Sequence, residues 1–524
     1  MTFGQAENKD FVSSDWIDIA AYCMHRPMQG EYAAGDVRHA KGKLFCAAAG
    51  SMLRSFDRKG IGEVVHQYKN NGYNIVLDVN SGSVHVVDDL VYDAIAYMVD
   101  NQLENVDQAV ALETLKEKFS DRTADLCEVV EEIYELKEHG MLFTEDIYEK
   151  SIEAFKNRET VVKALCLHIA HDCNLKCKYC FAEEGEYHGR RALMSYEVGR
   201  KALDFLVANS GNRVNLEVDF FGGEPLMNWQ VVKDLVAYGR SLEEEHHKKF
   251  RFTLTTNGVL LDDEIMEFAN KEMANIVLSI DGRKEVNDRM RPLAGGQGSY
   301  DMILPKFKKV AESRKQTNYY VRGTFTHFNK DFAADVCHLA DLGFQQISVE
   351  PVVAPESADY ALVTSDLPEL LAEYDKLAVE IIRRHQEGNG FNFFHFMIDL
   401  EGGPCVYKRL SGCGSGTEYL AVTPWGDFYP CHQFVGQDAF LMGNVDEGIV
   451  NTQLCDQFKT CNVYSKEKCK NCFAKFYCSG GCAANAYNFH GDIHDAYDLG
   501  CELQRKRVEC AIMIKAALAE EDRK

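Results

Sequence analysis

The chain has 524 residues, 46% of them hydrophobic, and this length predicts two to four domains. Its 57 basic residues against 81 acidic ones give a net charge of -24, which argues against a nucleic-acid partner. The sequence contains no long apolar run and no basic segment followed by an apolar one near the start, so we expect a cytoplasmic protein without a membrane partner. Its 19 cysteines therefore indicate metal or cluster ligands rather than disulfides.

The first 150 residues divide into an extension and a small domain. Residues 1–62 carry scattered glycines without a sustained period, and we assign them no role. Residues 73–79 and 83–87 are β-branched runs that flank the turn signal Asn80, Ser81, Gly82. Three helical periods follow and end near residue 145. We predict that residues 63–148 form one domain of strands followed by helices.

The next region, residues 155–365, alternates strand-like and helix-like runs, which is typical of parallel βα units. Six strands are predicted, at residues 161–169, 214–221, 250–255, 276–280, 319–326 and 346–349. Six strands are too few to close an eight-stranded barrel, so we predict a partial barrel with its site at the carboxyl ends of the strands. Residues 366–404, with an amphipathic helix at 367–385, are predicted to form a bridging region.

Three cysteines stand close together in the loop after the first of these strands, and they are Cys173, Cys177 and Cys180. Such a loop can hold three irons of a cubane four-iron cluster and leave the fourth iron open for chemistry. A zinc loop or three buried thiols is the alternative, because His171 is a further zinc-type ligand beside them.

Glycines and polar residues follow the next three strands. The second strand ends in Gly222, Gly223, Glu224, Pro225 (GGEP), the third in Thr255, Thr256, Asn257, Gly258, and the fourth in Ser279, Ile280, Asp281, Gly282. Two glycines allow a close backbone approach to a ligand, and a carboxylate such as that of Glu224 can pair with an ammonium. A guanidinium pairs well with a carboxylate, so Arg291 is a candidate for binding the carboxylate of a ligand. Arg322 is a rival candidate, and the alternative is that Arg291 is an ordinary surface arginine.

Cysteines return in the last quarter of the chain, in a C-x12-G-x4-C pattern followed by C-x2-C-x5-C-x3-C and a last cysteine. They are Cys413, Cys431, Cys469, Cys472, Cys478, Cys482 and Cys501. Iron–sulfur clusters take four thiolates each, and Cys405 upstream would make the count eight. A pair of structural zinc sites is the physical alternative. For the others a buried thiol is the default, namely Cys23, Cys46, Cys127, Cys166, Cys337, Cys455, Cys461 and Cys510.

The three-cysteine loop and the strand ends together resemble the signature of radical S-adenosyl-L-methionine (SAM) enzymes. The resemblance implies a partial (β/α)6 TIM-like barrel in which an external one-electron donor, of flavodoxin or ferredoxin type, charges a [4Fe-4S] cluster that cleaves SAM to a 5'-deoxyadenosyl radical. The implied cluster ligands are Cys173, Cys177 and Cys180. The implied SAM contacts are Tyr179, Gly222, Gly223, Glu224, Pro225, Thr256, Asn257, Ser279, Asp281 and Arg291. No catalytic side chain is assigned beyond this cluster.

The pattern of the later cysteines resembles the SPASM domain, which we place at residues 405–510, before a tail at 511–524. By analogy with that family's interleaved ligation, auxiliary cluster I falls on Cys413, Cys431 and Cys482, with Cys405 as a candidate fourth ligand. Auxiliary cluster II falls on Cys469, Cys472, Cys478 and Cys501. The resemblance thus implies three [4Fe-4S] clusters in all. Without Cys405 as a ligand, cluster I would keep an open iron for a substrate thiolate.

The domain at residues 63–148 resembles the winged-helix module called the RiPP recognition element (RRE), whose edge strand pairs with the leader of a precursor peptide. Main-chain hydrogen bonds supply the affinity in such strand addition, and side-chain pockets supply the register. From the pattern alone, a structural cap on the barrel explains this domain equally well.

Four runs resemble maturases of the six-cysteines-in-forty-five-residues (SCIFF) peptides, namely CHQF at 431–434, NVYS at 462–465, SGGCAAN at 479–485 and NIVLDVNSGSVHVV at 74–87. In sulfatase maturases an aspartate follows the auxiliary I cysteine, whereas His432 follows Cys431 here. The resemblance implies that the radical removes a hydrogen from an acceptor residue of a cysteine-rich ribosomal peptide. A cysteine sulfur of that peptide then bonds to the carbon, and an auxiliary cluster takes up the electron left over.

Three other functions remain as alternatives. A sulfatase-type maturase would make formylglycine, and another SPASM cyclase would close a different bond. A non-catalytic iron–sulfur electron carrier is disfavoured, because a carrier needs no SAM site at its strand ends.

Overall fold

A computed structural model of the chain describes residues 64–152, 156–187, 189–398, 400 and 406–521. The extension at residues 1–62 lies outside the described residues, and so do Cys23, Cys46 and Cys405. None of the described helices combines the length and the apolar content that crossing a membrane requires.

The N-terminal domain is a three-stranded antiparallel sheet, in the order β1-β2-β3, followed by three helices. Its elements are β1 (Val65–Asn70), β2 (Tyr73–Asp78), β3 (Val84–Val87), α1 (Asp89–Asp100), α2 (Gln108–Lys118) and α3 (Thr123–Glu138). The β2–β3 turn contains Gly82, whose positive φ of 78° favours glycine. The sequence predicted β2, β3 and the helices but missed β1, because its polar residues (VHQYKN) weaken the apolar alternation.

The two faces of this small sheet pack against different partners. On one face, Val65 and Val76 join the apolar side of the three helices. On the other face, Ile75 and Leu77 belong to the core of the main domain. The alternation of side chains along a strand explains this division. The N-terminal domain therefore shares its packing with the rest of the molecule.

The main sheet contains a row of parallel strands that runs in chain order from β4 to β10, and all six predicted strands are present. The strands are β4 (Ala164–His171), β6 (Asn215–Gly222), β7 (Lys249–Thr256), β8 (Met273–Ser279), β9 (Tyr319–Phe325) and β10 (Gln346–Pro351), with a short β5 (Ala192–Leu193) antiparallel to β4. The helices between them are α4 (Tyr196–Asn209), α5 (Trp229–His246), α6 (Asp263–Glu272), α7 (Lys284–Met290), α8 (Tyr300–Ser313) and α9 (Phe332–Asp341). The predicted α/β class with a parallel sheet core is confirmed.

The remaining chain extends this sheet at both ends. The long helix α10 (Leu367–Gln386) precedes β11 (Asn392–Phe393), which pairs with β10, and β12 (Tyr419–Val422) pairs in parallel with β4. The C-terminal elements are α11 (Val406–Ser411), β13 (Asp427–Tyr429), β14 (Gly443–Asn444), β15 (Gly448–Ile449), α12 (Thr452–Thr460), α13 (Glu467–Lys470), α14 (Lys475–Cys478), α15 (Ala483–His490) and α16 (Asp498–Glu521). The expected start of a tail at residue 511 falls inside α16, where Ala511 to Met513 are buried.

The default of a buried thiol fits some of the unassigned cysteines and not others. Cys166, Cys461 and Cys510 are buried, and Cys337 and Cys455 are partly exposed. Cys127 is exposed, which corrects the default for this residue. It lies on α3 beside the apolar stripe of that helix rather than within it.

Candidate functional site

The loop after β4 brings Cys173, Cys177 and Cys180 near one another. Burial raises the pKa of Cys173 to about 12 and that of Cys177 to about 11, and the charges of neighbouring thiolates contribute to both shifts. Among the described residues, no group of three or more His, Cys, Asp or Glu side chains could hold a single metal ion. Three thiols in one loop match the three protein ligands of a four-iron cluster that keeps one iron open.

Two glycines at the end of β6 let this strand approach the cysteine loop closely. A Cβ atom on Gly222 would lie 2.4 Å from the carbonyl oxygen of Ala170, and one on Gly223 would lie 2.1 Å from that of Asp172. The Gly223 and Glu224 N–H groups donate to these two carbonyls at 2.8 and 2.9 Å. The sequence predicted a close approach to a ligand. In the structure, these glycines also approach the backbone of Ala170 at the end of β4 and of Asp172 in the cysteine loop, so GGEP holds the start of this loop in place.

The carboxylate of Glu224 is fully buried at the base of this loop. It accepts hydrogen bonds from Leu226 N at 3.0 Å, Thr256 Oγ1 at 2.8 Å and Asn257 N at 2.8 Å. Burial raises its pKa to about 7, although all three bonds favour the charged form. A carboxylate has roughly four acceptor positions, so one remains for a further donor. An ammonium in that position would offset the cost of burying the charge.

The end of β7 also contacts the loop. Asn257 Nδ2 donates to Asn174 Oδ1 at 2.7 Å and lies 3.7 Å from Cys173 Sγ. Pro225 begins a short 3-10 helix that Glu224 caps. Ser279, at the end of β8, is half-buried and stands opposite Arg322 of β9. Thr256, Asn257 and Ser279 thus lie at the carboxyl ends of neighbouring strands, as predicted for a ligand site.

Tyr179, Asp281 and Arg291 form a buried polar network beside the loop. The Tyr179 hydroxyl donates to the Asp281 carboxylate, and Arg291 Nη1 donates to the Tyr179 oxygen at 2.9 Å. Thr324 N also donates to Asp281 at 3.1 Å. Burial raises the pKa of Asp281 to about 6, and the charge of Arg291 opposes that shift. Arg291 Nε has no hydrogen-bond partner in the described part of the chain.

The two arginine candidates lie in different surroundings. The charge of Arg291 acts on the thiol of Cys177, whereas Arg322 donates to Glu350 at 2.9 Å on the side of β9 and β10. Arg291 is therefore the arginine next to the cysteine loop.

The first group of C-terminal cysteines consists of Cys413, Cys431 and Cys482. Burial raises the pKa of Cys431, and the charges of Cys482 and Cys413 raise it further, so the three thiols lie within electrostatic range of one another. A pocket adjoins this group, and its lining includes Cys413, Cys461, Lys466 and Gly480. The chemistry of this donor set fits a thiolate-bound cluster.

The second group consists of Cys469, Cys472, Cys478 and Cys501. Burial raises the pKa of Cys478 to about 12, and the charges of Cys501, Cys469 and Cys472 add to that shift. Cys478 is thus influenced by the other three cysteines of its own group, as Cys431 is by Cys413 and Cys482. Four thiols in one partly buried site are a suitable donor set for a complete four-iron cluster.

His432 lies between the cysteine loop and the first C-terminal group. Its ring centroid is 5.5 Å from that of Phe181, the residue after Cys180, and 5.3 Å from that of Phe221. Burial lowers its pKa to about 3, so the imidazole is neutral at physiological pH. The sequence singled out His432 only because it directly follows Cys431.

Sequence reasoning named His171 only as a zinc-type ligand and missed His168 and Tyr187. His168 Nδ1 lies 2.9 Å from His171 Nε2, and the ring of Tyr187 stacks on His171 at 4.7 Å. The second nitrogen of each histidine has no hydrogen-bond partner within the described ranges. In the sequence, these two histidines stand three residues apart in an otherwise apolar strand, but this spacing does not identify a function.

Comparisons with known proteins agree with this geometry. A family profile described as the Radical SAM superfamily matches residues 167–333. The chain is similar to the radical SAM cyclopropyl synthase TigE of Paramaledivibacter caminithermalis, at 21% identity over 83% of this chain and 91% of the relative. It is also similar to a cysteine-type anaerobic sulfatase-maturating enzyme of Clostridium novyi, at 24% identity over 63% of this chain and 90% of the relative.

Among solved structures, native anSMEcpe with bound AdoMet matches with a TM-score of 0.56 and 20% identity, over 68% of this chain and 99% of the other. This likeness concerns the fold. The profile match covers the cysteine loop and the strands β4 to β9, which carry the strand-end residues described above. The chain belongs to the radical SAM superfamily.

Proposed function

We propose that this chain is a cytoplasmic maturase that forms an intramolecular thioether crosslink between a cysteine sulfur and an acceptor carbon of a cysteine-rich ribosomal peptide of the SCIFF type. The observation that carries the proposal is the presence of three separate cysteine sets, one in the loop after β4 and two in the C-terminal region. A SAM-cleaving barrel needs only the first set. The other two add sites for redox chemistry on a substrate.

The residues around the cysteine loop suit the cofactors that such a reaction needs. Cys173, Cys177 and Cys180 would hold the [4Fe-4S] cluster, which together with SAM supplies the hydrogen-abstracting radical. Glu224 would accept the SAM ammonium at its remaining acceptor position, and Arg291 Nε would donate to the SAM carboxylate. The remaining SAM contacts implied by the resemblance are Tyr179, Gly222, Gly223, Pro225, Thr256, Asn257, Ser279 and Asp281. Of these, Tyr179 and Asp281 would act by fixing Arg291.

The C-terminal sets would hold two auxiliary clusters, for three [4Fe-4S] clusters in all. Cys413, Cys431 and Cys482 would hold auxiliary cluster I, with Cys405 as a candidate fourth ligand. Cys469, Cys472, Cys478 and Cys501 would hold auxiliary cluster II. A three-ligand cluster beside His432 would leave a position for a thiolate of the peptide.

The small N-terminal sheet is suited to bind the leader of the peptide by strand addition. Among the described strands, β3 has a neighbour on one side only, whereas β1 lies against α16 through Tyr68, whose hydroxyl donates to the Glu509 carbonyl at 2.9 Å. The edge of β3 is therefore where an extended leader would add. An external one-electron donor of flavodoxin or ferredoxin type would supply the electron for SAM cleavage.

The main alternative is a sulfatase-type maturase, and His432 is the observation that weighs against it. A carboxylate at this position would serve as a base, but the chain carries an imidazole there, packed between Phe181 and Phe221. A thiolate bound to iron needs no such base. The two relatives are named for different reactions although they resemble the same chain. The fold alone therefore does not determine whether the product is a thioether, formylglycine or another cyclised product.

Product analysis tests the proposal directly. The reconstituted full-length chain is incubated with SAM, dithionite and the cysteine-rich peptide encoded beside its gene. Each crosslink should remove two hydrogens and make one cysteine resistant to alkylation after a disulfide reductant. A cyclised product without sulfur would lose two hydrogens but keep every thiol reactive. A new carbonyl at cysteine or serine would instead establish formylglycine formation and overturn the proposal.

A further inference from the structure

Lys466 is a buried lysine that has no carboxylate partner in the described structure. It is 2% exposed, and its ammonium donates to the carbonyl oxygens of Gly480 and Asp495, each at 2.9 Å. The neighbouring Lys468, Lys470 and Lys475 each pair with a carboxylate. Burying an ammonium is costly unless negative charge lies near it. Both acceptors of Lys466 are neutral carbonyls, so they do not compensate its charge.

The charge of this ammonium acts on one cysteine of each C-terminal group. Burial raises the pKa of Cys482 in the first group and of Cys469 in the second, and the charge of Lys466 lowers both. Lys466 acts in the same direction on Cys461, whose Sγ donates to the Ile493 carbonyl at 3.2 Å. The ammonium thus lies within electrostatic range of both cysteine groups.

The pocket beside the first group gives a second, geometric observation. Its lining includes Lys466 together with Cys413 and Cys461. A cationic side chain therefore lines the same pocket as Cys413, a proposed ligand of auxiliary cluster I. A four-thiolate [4Fe-4S] cluster is anionic, so the lining is complementary to it.

Lys248 provides a comparison within the same chain. Its ammonium also donates to two backbone carbonyls, those of Gly211 and Arg213, each at 2.7 Å. This lysine lies between α5 and β7. Its charge is not among the causes of the pKa shifts of Cys469, Cys478 and Cys482. Two backbone carbonyls alone can therefore hold a buried ammonium. What distinguishes Lys466 from Lys248 is its electrostatic effect on the cysteines, and this effect points to a role at the clusters.

We propose that Lys466 is a positioning residue shared by the two auxiliary clusters, whose fixed positive charge favours their one-electron reduction. This inference rests on the proposed function. In that reaction a cysteine thiol of the peptide loses its proton to solvent, and its sulfur bonds to a carbon radical. One electron is left over. A four-thiolate cluster that accepted this electron would go from a charge of -2 to -3, and the buried ammonium of Lys466 would stabilise the more negative state.

Redox titration monitored by electron paramagnetic resonance tests the inference on the full chain. The three loop cysteines are replaced by alanine (Cys173→Ala, Cys177→Ala, Cys180→Ala) so that only the auxiliary clusters contribute to the signal. Lys466→Met should make the reduction of each cluster at least tenfold less favourable, which lowers each potential by about 59 mV for one electron. Lys466→Arg keeps the charge and should stay close to the parent. Lys248→Met is the matched control and should leave both potentials unchanged.

Iron analysis separates failure of the inference from failure of the proposed function. Potentials that do not move in Lys466→Met, or that move at one cluster alone, would overturn the shared role and leave the proposed function intact. A parent chain that binds no auxiliary iron would overturn both. If Lys466→Met loses auxiliary iron, retention of that iron in Lys466→Arg supports the requirement for charge. Loss of iron in both variants would show a merely structural lysine and overturn the inference.

Discussion

The phenolic oxygen of Tyr179 lies 2.7 Å from both carboxylate oxygens of Asp281. Tyr179 belongs to the cysteine loop, and Asp281 directly follows β8 and Ile280. Arg291 Nη1 donates to the same phenolic oxygen at 2.9 Å, which brings in the segment after α7. One hydroxyl thus connects three separate segments of the site.

The first prediction concerns this hydroxyl. Tyr179→Phe keeps the ring but leaves the buried Asp281 and Arg291 without their shared partner, so the free energy of unfolding should fall by about 1–3 kcal/mol. Thermal denaturation measured by circular dichroism would report the loss. Tyr196→Phe, at an exposed tyrosine of α4, is the control and should change little. Equal stability of the two variants would show that the network contributes nothing.

The second prediction concerns the cysteine loop. Replacing Cys173, Cys177 and Cys180 together by alanine should remove about four irons per chain and abolish reductive SAM cleavage, because the cluster loses all its protein ligands. The iron of the auxiliary sites should remain. Iron analysis and chromatography of 5'-deoxyadenosine would measure the two effects. Cys127→Ala, at an exposed thiol, should alter neither quantity. Formation of 5'-deoxyadenosine by the triple variant would refute the assignment.

The third prediction concerns the buried carboxylate of Glu224. Glu224→Gln keeps the shape and removes the charge, so SAM binding measured by calorimetry should weaken by about 1.5–3 kcal/mol, the range for a hydrogen bond to a charged group. Glu197→Gln, on the exposed surface of α4, provides the matched control. Equal SAM affinity in the Glu224 variant and the parent would rule out a contact with the ammonium.

The fourth prediction follows from the pKa of the same residue. Burial raises the pKa of Glu224 from 4.5 to about 7, so the folded state holds this proton more tightly than the unfolded state. The stabilisation is fully present below pH 4.5 and is lost as the pH rises to about 7. Without SAM, Glu224→Gln should remove this part of the pH dependence of unfolding. Denaturant titrations at a series of pH values would detect it, and parallel curves for both proteins would contradict the shift.

The sequence predicted the six strands of the parallel row because each is a short apolar run bounded by turn residues. The contacts of the residues at the strand ends were harder to predict. The sequence did not predict that Gly222 and Gly223 also lie against Ala170 of β4 and Asp172 of the cysteine loop. Such a contact depends on the pairing of β6 with β4, which no local pattern specifies.

The roles of His432 and Lys466 illustrate the same limit. His432 is next to Cys431 in the sequence, but its contact with Phe181 joins residues about 250 positions apart, which only the folded chain brings together. Lys466 belongs to a lysine-rich run that is typical of a solvated surface, but its side chain is buried. Burial of a single charged side chain is set by tertiary packing and leaves no periodic signal in the sequence.

The last prediction concerns the edge of β3 and separates a leader-binding domain from a structural cap. Val84 pairs with Leu77 of β2, next to the pair in which Asp78 N donates to the Ser83 carbonyl at 2.9 Å. Opposite residues of an antiparallel pair alternate between bonded and non-bonded positions, so the Val84 N–H points away from β2 toward the free edge. Val84→Pro would remove this donor without breaking the β2–β3 ladder.

We expect Val84→Pro to lower the rate of peptide crosslinking at limiting peptide concentration by about tenfold, since one main-chain bond is lost and the proline ring obstructs an added strand. SAM cleavage without peptide should be unchanged. Val84→Ala keeps the N–H group and is the matched control. A point change is preferable to removal of the domain, because Ile75 and Leu77 pack into the main core and truncation would expose it. Crosslinking by Val84→Pro at the rate of Val84→Ala would identify the domain as a structural cap.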